Sequence, residues 1–91
     1  MTVDTLARQH QPALAVERTF ITHVTGGLDG AVRVALMLRG RNYQVRDLAI
    51  DVREGVVFSE VRATVAVTAA EAELLLKRLR RLPAVVSAEN R

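Results

Sequence analysis

Residues 57–67 alternate strictly between two kinds of side chain. The odd-numbered positions are small or apolar, whereas the even-numbered positions include Glu60, Arg62 and Thr64. Because successive side chains of a strand point to opposite faces of a sheet, this pattern predicts a strand with one buried face and one charged face. A sheet with two such faces is covered by helices on one side only.

A helix is predicted directly after this strand. The TAAE sequence at 68–71 has the pattern of a capping box, in which the Thr68 hydroxyl accepts from the Glu71 N–H and the glutamate reaches back. Basic residues fill the last turns, and Pro83 ends the helix. Residues 84–88 then predict a short final strand. The apolar stripe of the helix consists of Leu75, Leu79 and Leu82, flanked by Leu74 and Leu76.

The first half of the chain is also predicted to form a strand, a helix and a second strand. Residues 19–25 are rich in β-branched residues and predict a strand, which begins as early as position 13, and residues 43–52 predict another. The two enclose a helix that ends near Arg41, with Asn42 in the left-handed conformation that closes helices. Asp29 is its N-cap or first-turn acid. Its apolar stripe is Ala31, Val34, Ala35 and Leu38.

The order of elements is therefore β-α-β-β-α-β, with a hairpin turn at 53–55. It predicts an α+β fold: a ferredoxin-like two-layer sandwich, with a four-stranded antiparallel sheet and two helices on one face. We expect one domain over residues 13–91, preceded by a flexible N-terminal arm at 1–12.

The composition excludes several kinds of functional site. The chain has 91 residues and no cysteine, which excludes disulfides, cysteine zinc sites and thiol nucleophiles. A net charge of +3 is a mixed surface rather than a polybasic patch. A domain this small is marginal alone, so oligomerisation is expected. No targeting or membrane segment is visible, and we expect a cytoplasmic protein with neither membrane nor nucleic-acid partners.

The sequence contains candidates for a phosphate-binding site and for a catalytic or metal site. Residues 23–30, HVTGGLDG, could cradle a phosphate, but the glycine spacing matches no phosphate-binding motif and a turn requiring positive φ is the simpler interpretation. Catalysis lacks support, because neither His10 nor His23 has a serine or cysteine beside it in sequence. Asp47 and Asp51 lie on one strand face and are interpreted as solvated surface carboxylates rather than a metal or acid–base pair. We therefore expect no catalytic residues, no metal site and no cofactor.

An RNA-binding module with the same element order is a remote alternative. Such domains stack bases on aromatic residues of two central strands, a role that Phe20 and Phe58 could take. The surrounding sequence lacks the basic-glycine-aromatic pattern of that class.

The chain resembles an ACT domain over residues 19–89, and more closely the short regulatory subunit of acetolactate synthase. Arg33-Val34, followed by Arg39, Arg41, Tyr43 and Val45, resembles the helix-to-strand passage of that family. Leu48 and Ile50 fit its next strand, and the spacing of Leu79, Leu82 and Val85 resembles its closing run. The order and spacing of these three pieces carry the resemblance.

The resemblance implies a non-catalytic subunit that forms a homodimer through sheet edges and activates the catalytic large subunit, a thiamine-diphosphate enzyme of branched-chain amino acid biosynthesis. It also implies a branched-chain amino acid as effector, bound between the loop of one protomer and the start of strand two of the other. The corresponding residues are Gly26, Gly27, Leu28, Asp29, Gly30 and Gln44.

Three of these positions depart from the valine-sensitive pattern. Gly26 and Gln44 replace asparagines, and Asp29 replaces a glycine, so the resemblance implies weak or absent valine feedback. The alternative is a free-standing ACT-like amino-acid sensor.

Overall fold

A computed structural model describes residues 14–53 and 58–91 of the chain. The predicted arm at 1–12 and most of the turn at 53–55 lie outside these residues. The elements follow the predicted order, and each begins or ends within a few residues of its expected place. They are β1 (Val16–Val24), α1 (Leu28–Gly40), β2 (Gln44–Asp51), β3 (Ser59–Val67), α2 (Ala69–Arg81) and β4 (Val85–Asn90).

The four strands form one antiparallel sheet in the spatial order β2-β3-β1-β4. The central pair, β1 and β3, runs in unbroken register from Val16 opposite Val67 to Val24 opposite Ser59. The outer strands are less regular: β2 shifts register between Val45 and Asp47, and β4 shifts opposite His23 and Val24. The α+β sandwich with two helices is confirmed, and β2 and β4 are its edges.

Both helices cover the same face of the sheet. The odd-numbered residues of β3 are buried there, as the alternation predicted, and they pack against the apolar stripes of α1 and α2. Helix α1 lies against β3, and α2 lies mainly against β4. The core consists of Phe20, Val24, Val61, Ala63, Val65, Val67 and Ala88 of the sheet, with Ala31, Val34, Leu38, Ala72, Leu75 and Leu79 of the helices.

Local interactions define the start of α2 and the end of α1. The Glu71 N–H donates to Thr68 Oγ1 at 3.1 Å, and the Thr68 N–H donates to Glu71 Oε1 at 2.8 Å, so the predicted capping box is confirmed. At the end of α1, Asn42 has φ 59° and the Tyr43 N–H donates to the Leu38 carbonyl at 3.0 Å. This is a Schellman closure, and it turns the chain directly into β2.

Candidate functional site

The predicted effector loop is a tight turn between β1 and α1. Gly26 and Gly27 have φ values of 80° and 58°, in the left-handed region that glycine adopts without steric cost. The Thr25 N–H donates to the Ala84 carbonyl at 2.8 Å, which ties the loop to the segment before β4. The interpretation of this stretch as a turn requiring positive φ is therefore confirmed for two of its glycines.

Gly30 is required for a different reason. Its backbone is helical, but a Cβ at this position would overlap the carbonyl oxygen of Thr25. The first turn of α1 therefore sits directly on the backbone at the end of β1. The backbone conformation and packing of the loop therefore require glycine at three positions. The side chains of Leu28 and Asp29 are exposed.

The start of α1 has no side-chain cap, in contrast to α2. Gly27 is the N-cap residue, and Asp29 lies in the first turn, so the N-cap alternative for Asp29 was wrong. The Asp29 N–H donates to the Gly26 carbonyl at 3.1 Å. The Asp29 carboxylate is favourable beside the positive end of the helix dipole, and it lowers the affinity of the same helix end for another anion.

Gln44 lies far from this loop in the same chain. It begins β2 and pairs with Ala66, near the opposite end of the sheet, and the 13-residue α1 separates the two positions by about 20 Å. The residue of β2 nearest the loop end is Asp51, which pairs with Glu60, itself paired with His23 of β1. One protomer therefore holds two separate halves of the predicted site.

Strand β2 offers an unprotected edge. All eight of its residues are exposed, including Val45, Leu48 and Ile50, which are 37–39% exposed although they lie on the helix-covered face. A groove of about 500 Å³, lined by both apolar and polar side chains, runs between this strand and α1. Its lining residues are Ala35, Leu38, Arg39, Asn42, Tyr43, Val45 and Leu48.

The open face of the sheet holds a polar cluster that sequence spacing did not reveal. His23 Nδ1 lies 3.1 Å from Ser87 Oγ, and His23 Nε2 lies 3.5 Å from Glu60 Oε1. The Arg62 guanidinium donates to the same Glu60 carboxylate at 3.2 Å. The three strands bring together a serine, a histidine and an acid that lie far apart in sequence. Because the cluster is exposed and Arg62 offsets the carboxylate charge, we interpret it as a surface hydrogen-bond network across β3, β1 and β4.

The fold also bears on base stacking by Phe20 and on the interpretation of Asp51 as a surface carboxylate. Phe20 is 1% exposed on the helix-covered face, so it cannot stack on a base as the RNA-binding alternative requires. Asp51 accepts a hydrogen bond from Arg53 at 2.9 Å, and no cluster of potential metal ligands occurs among the described residues.

Membrane insertion through a helix finds no support in the described part of the chain, whose helices are all too short or too polar to span a bilayer.

Comparison with protein-family models gives no match, and comparison with curated proteins gives none. Among solved structures, the chain is similar to the ACT domain from the GTP pyrophosphokinase of Chlorobium tepidum, with a TM-score of 0.72. The alignment covers 85% of this chain and 99% of that one, at 9% sequence identity. The fold is that of an ACT domain.

Substitution of two glycines by alanine tests the close approach at the loop. We expect Gly30→Ala to lower the free energy of unfolding by about 2 kcal/mol or more, because the added methyl group overlaps the Thr25 carbonyl. Gly40→Ala is the matched control, since a Cβ there meets no atom within 4 Å, and it should raise stability by about 0.5–1 kcal/mol. Urea unfolding measures both, and equal effects of the two substitutions would contradict the close approach.

Proposed function

We propose that this chain is a non-catalytic regulatory subunit that binds and activates an acetolactate synthase. The observation that carries the proposal is the ordered sequence resemblance over residues 19–89, which falls on a chain with an ACT-domain fold. The residues of that resemblance have structural roles here: Tyr43 accepts a hydrogen bond from Arg78 Nη1 at 2.8 Å, and Leu79 belongs to the core.

The regulatory unit in this proposal is a homodimer joined through β2. An exposed strand edge with apolar side chains is a template for pairing with a second strand. Strand β4 is the poorer edge, because it is six residues long and its Ala88 carbonyl already accepts from Arg80 at 2.9 Å. Antiparallel pairing of two β2 strands would produce an eight-stranded sheet. It would also cover the apolar side of α1, where Leu28, Val32 and Ala35 follow at helical spacing.

This dimer would complete the effector site. In a two-fold pairing, the start of β2 in one protomer lies beside the end of β2 in the other. Gln44 of the partner subunit would thereby approach the loop end of the sheet, where Gly26–Gly30 begin α1. The uncapped N–H groups of that helix end suit a carboxylate, and Gln44 supplies an amide.

Asp29 weakens this site for an amino acid. Its exposed carboxylate lies in the first turn of α1, beside the place where the carboxylate of an effector would bind. Two such charges about 4 Å apart in water repel each other by about 1 kcal/mol. We therefore propose an activating subunit with weak or absent valine feedback.

The second candidate function is a free-standing amino-acid sensor that controls another protein. The ACT-domain fold is compatible with this function as well. The two functions predict the same dimer and differ in the partner.

Reconstitution distinguishes the two functions. The purified chain is mixed with the catalytic acetolactate synthase subunit encoded in the same genome, and acetolactate formation and sedimentation are followed together. We expect a complex and a severalfold higher rate. Binding of branched-chain amino acids with neither a complex nor a rate change would favour the free-standing sensor and refute the subunit role.

A charged substitution on the strand edge tests the dimer. Leu48→Lys places a cation on the exposed edge of β2, and we expect the dimer dissociation constant from sedimentation equilibrium to rise about tenfold or more. Val86→Lys on β4 is the matched control, because Val86 is 51% exposed and lies on the other edge. Dissociation by Val86→Lys rather than Leu48→Lys would place the interface at β4.

Removal of the Asp29 charge tests the effector site. By calorimetry, Asp29→Gly and Asp29→Asn should both bind valine about fivefold more tightly than the unaltered chain, which corresponds to the repulsion of about 1 kcal/mol. Glu73→Gln, an exposed acid on α2, should have no effect. Tight valine binding that is unchanged by Asp29→Gly would show that the effector lies elsewhere.

A further inference from the structure

The helix layer carries a second groove on the side of α1 that faces away from β2. It lies between the end of α1 and the second half of α2, with a volume of about 360 Å³. Four of its seven lining residues are cationic and none is acidic. The cations are Arg41, Lys77, Arg78 and Arg81, and the apolar lining residues are Met37, Leu74 and Leu82.

The charges of this groove are not neutralised within the described residues. None of its four cations forms an ion pair of 4.0 Å or less there, although ion pairs occur elsewhere on the surface. The nearby Glu71 is held by the capping box at Thr68. Glu73 lies one helical turn before Lys77, but no contact of ion-pair length joins the two side chains.

One of the cations is held in place rather than extended into solvent. Arg78 Nη1 donates to Tyr43 Oη at 2.8 Å, and this bond links α2 to the residue directly before β2. Arg78 therefore has a defined position in the groove, while Arg41, Lys77 and Arg81 are exposed around it.

The helix dipole alone does not explain the arrangement. Cations in the last turn of α2 are favourable beside its negative end, and this accounts for Arg78, Arg80 and Arg81. It does not account for Arg41, which follows α1, nor for the apolar residues between the cations. Leu74 is 43% exposed, and burial of such a side chain by a partner is favourable.

We propose that this groove binds an acidic amphipathic helix of a partner protein. The leucine-type side chains of such a helix would enter the groove and contact Met37, Leu74 and Leu82, and its carboxylates would neutralise the flanking cations. The apolar residues favour a protein helix over a nucleic acid, because the groove has no exposed aromatic ring for base stacking and the Tyr43 hydroxyl is occupied by Arg78.

The proposal goes beyond the function proposed above, since the groove contains no residue of the effector loop and none of β2. It requires a protein partner of the regulatory domain, but not that the partner is acetolactate synthase.

The test uses the full chain and a designed peptide as the probe. The peptide is about 16 residues long, roughly four helical turns, with leucines at i, i+3, i+4 and i+7 and glutamates on both flanks, and it carries fluorescein. Fluorescence anisotropy should detect binding that weakens as salt is raised. The same peptide with lysines in place of glutamates should not bind, and replacement of its leucines by serine should weaken binding about tenfold.

Two double variants with the same change in net charge locate the contact. Lys77→Glu/Arg81→Glu should weaken peptide binding about tenfold or more, whereas Arg62→Glu/Arg91→Glu, which lie outside both the groove and β2, should change it less than about twofold. Circular dichroism checks that both variants remain folded. Leu74→Ser, which keeps all four cations, should also weaken binding.

Several outcomes would overturn the proposal. Equal weakening by the two double variants would mean that only net charge attracts the peptide, and tight binding of the serine peptide would mean simple anion binding. A single-stranded RNA of similar length that binds more tightly than the peptide would identify a polyanion site instead. Absence of peptide binding at low salt would refute an acidic helix as the ligand of this groove. None of these results depends on whether acetolactate synthase is the partner.

Discussion

The register between β1 and β3 is the constraint on which the rest of the molecule depends. Nine consecutive residue pairs join the two central strands without a shift, from Val16–Val67 to Val24–Ser59. Because strand side chains alternate, a slip by one residue would move every buried side chain of β3 to the open face. The edge strands β2 and β4 pair with β3 and β1 respectively, so their positions also depend on the register of the central pair.

The fold was predictable from sequence where residues close together in the chain determine the local structure. The capping box at Thr68, the left-handed Asn42 and the alternation of β3 each specify structure through neighbours in sequence, and each is present as predicted. The Ser87–His23–Glu60 contacts were not predictable, because they depend on which strands are neighbours and in what register. The close approach of Gly30 to Thr25 was missed for a related reason: its backbone is helical, and only the packing of α1 on β1 excludes a side chain.

Helix α1 divides the surface into two chemically different regions. Toward β2 the helix borders a groove with four aliphatic lining residues and one cation, beside the open strand edge. Toward α2 lie Met37 of the helix and Arg41 directly after it, and the groove there combines apolar side chains with four cations. The proposed dimer surface and the proposed helix-binding groove therefore lie on opposite sides of one 13-residue helix and share no lining residue.

The glycines of the loop have an evolutionary consequence. Gly26 and Gly27 are held by their positive φ and Gly30 by its contact with the Thr25 backbone, so substitutions at these three positions damage the turn itself. Leu28 and Asp29 are the loop positions whose side chains point away from these constraints. In the effector site proposed above, evolution could therefore change the ligand through these two adjacent positions while the turn that supports them stays intact.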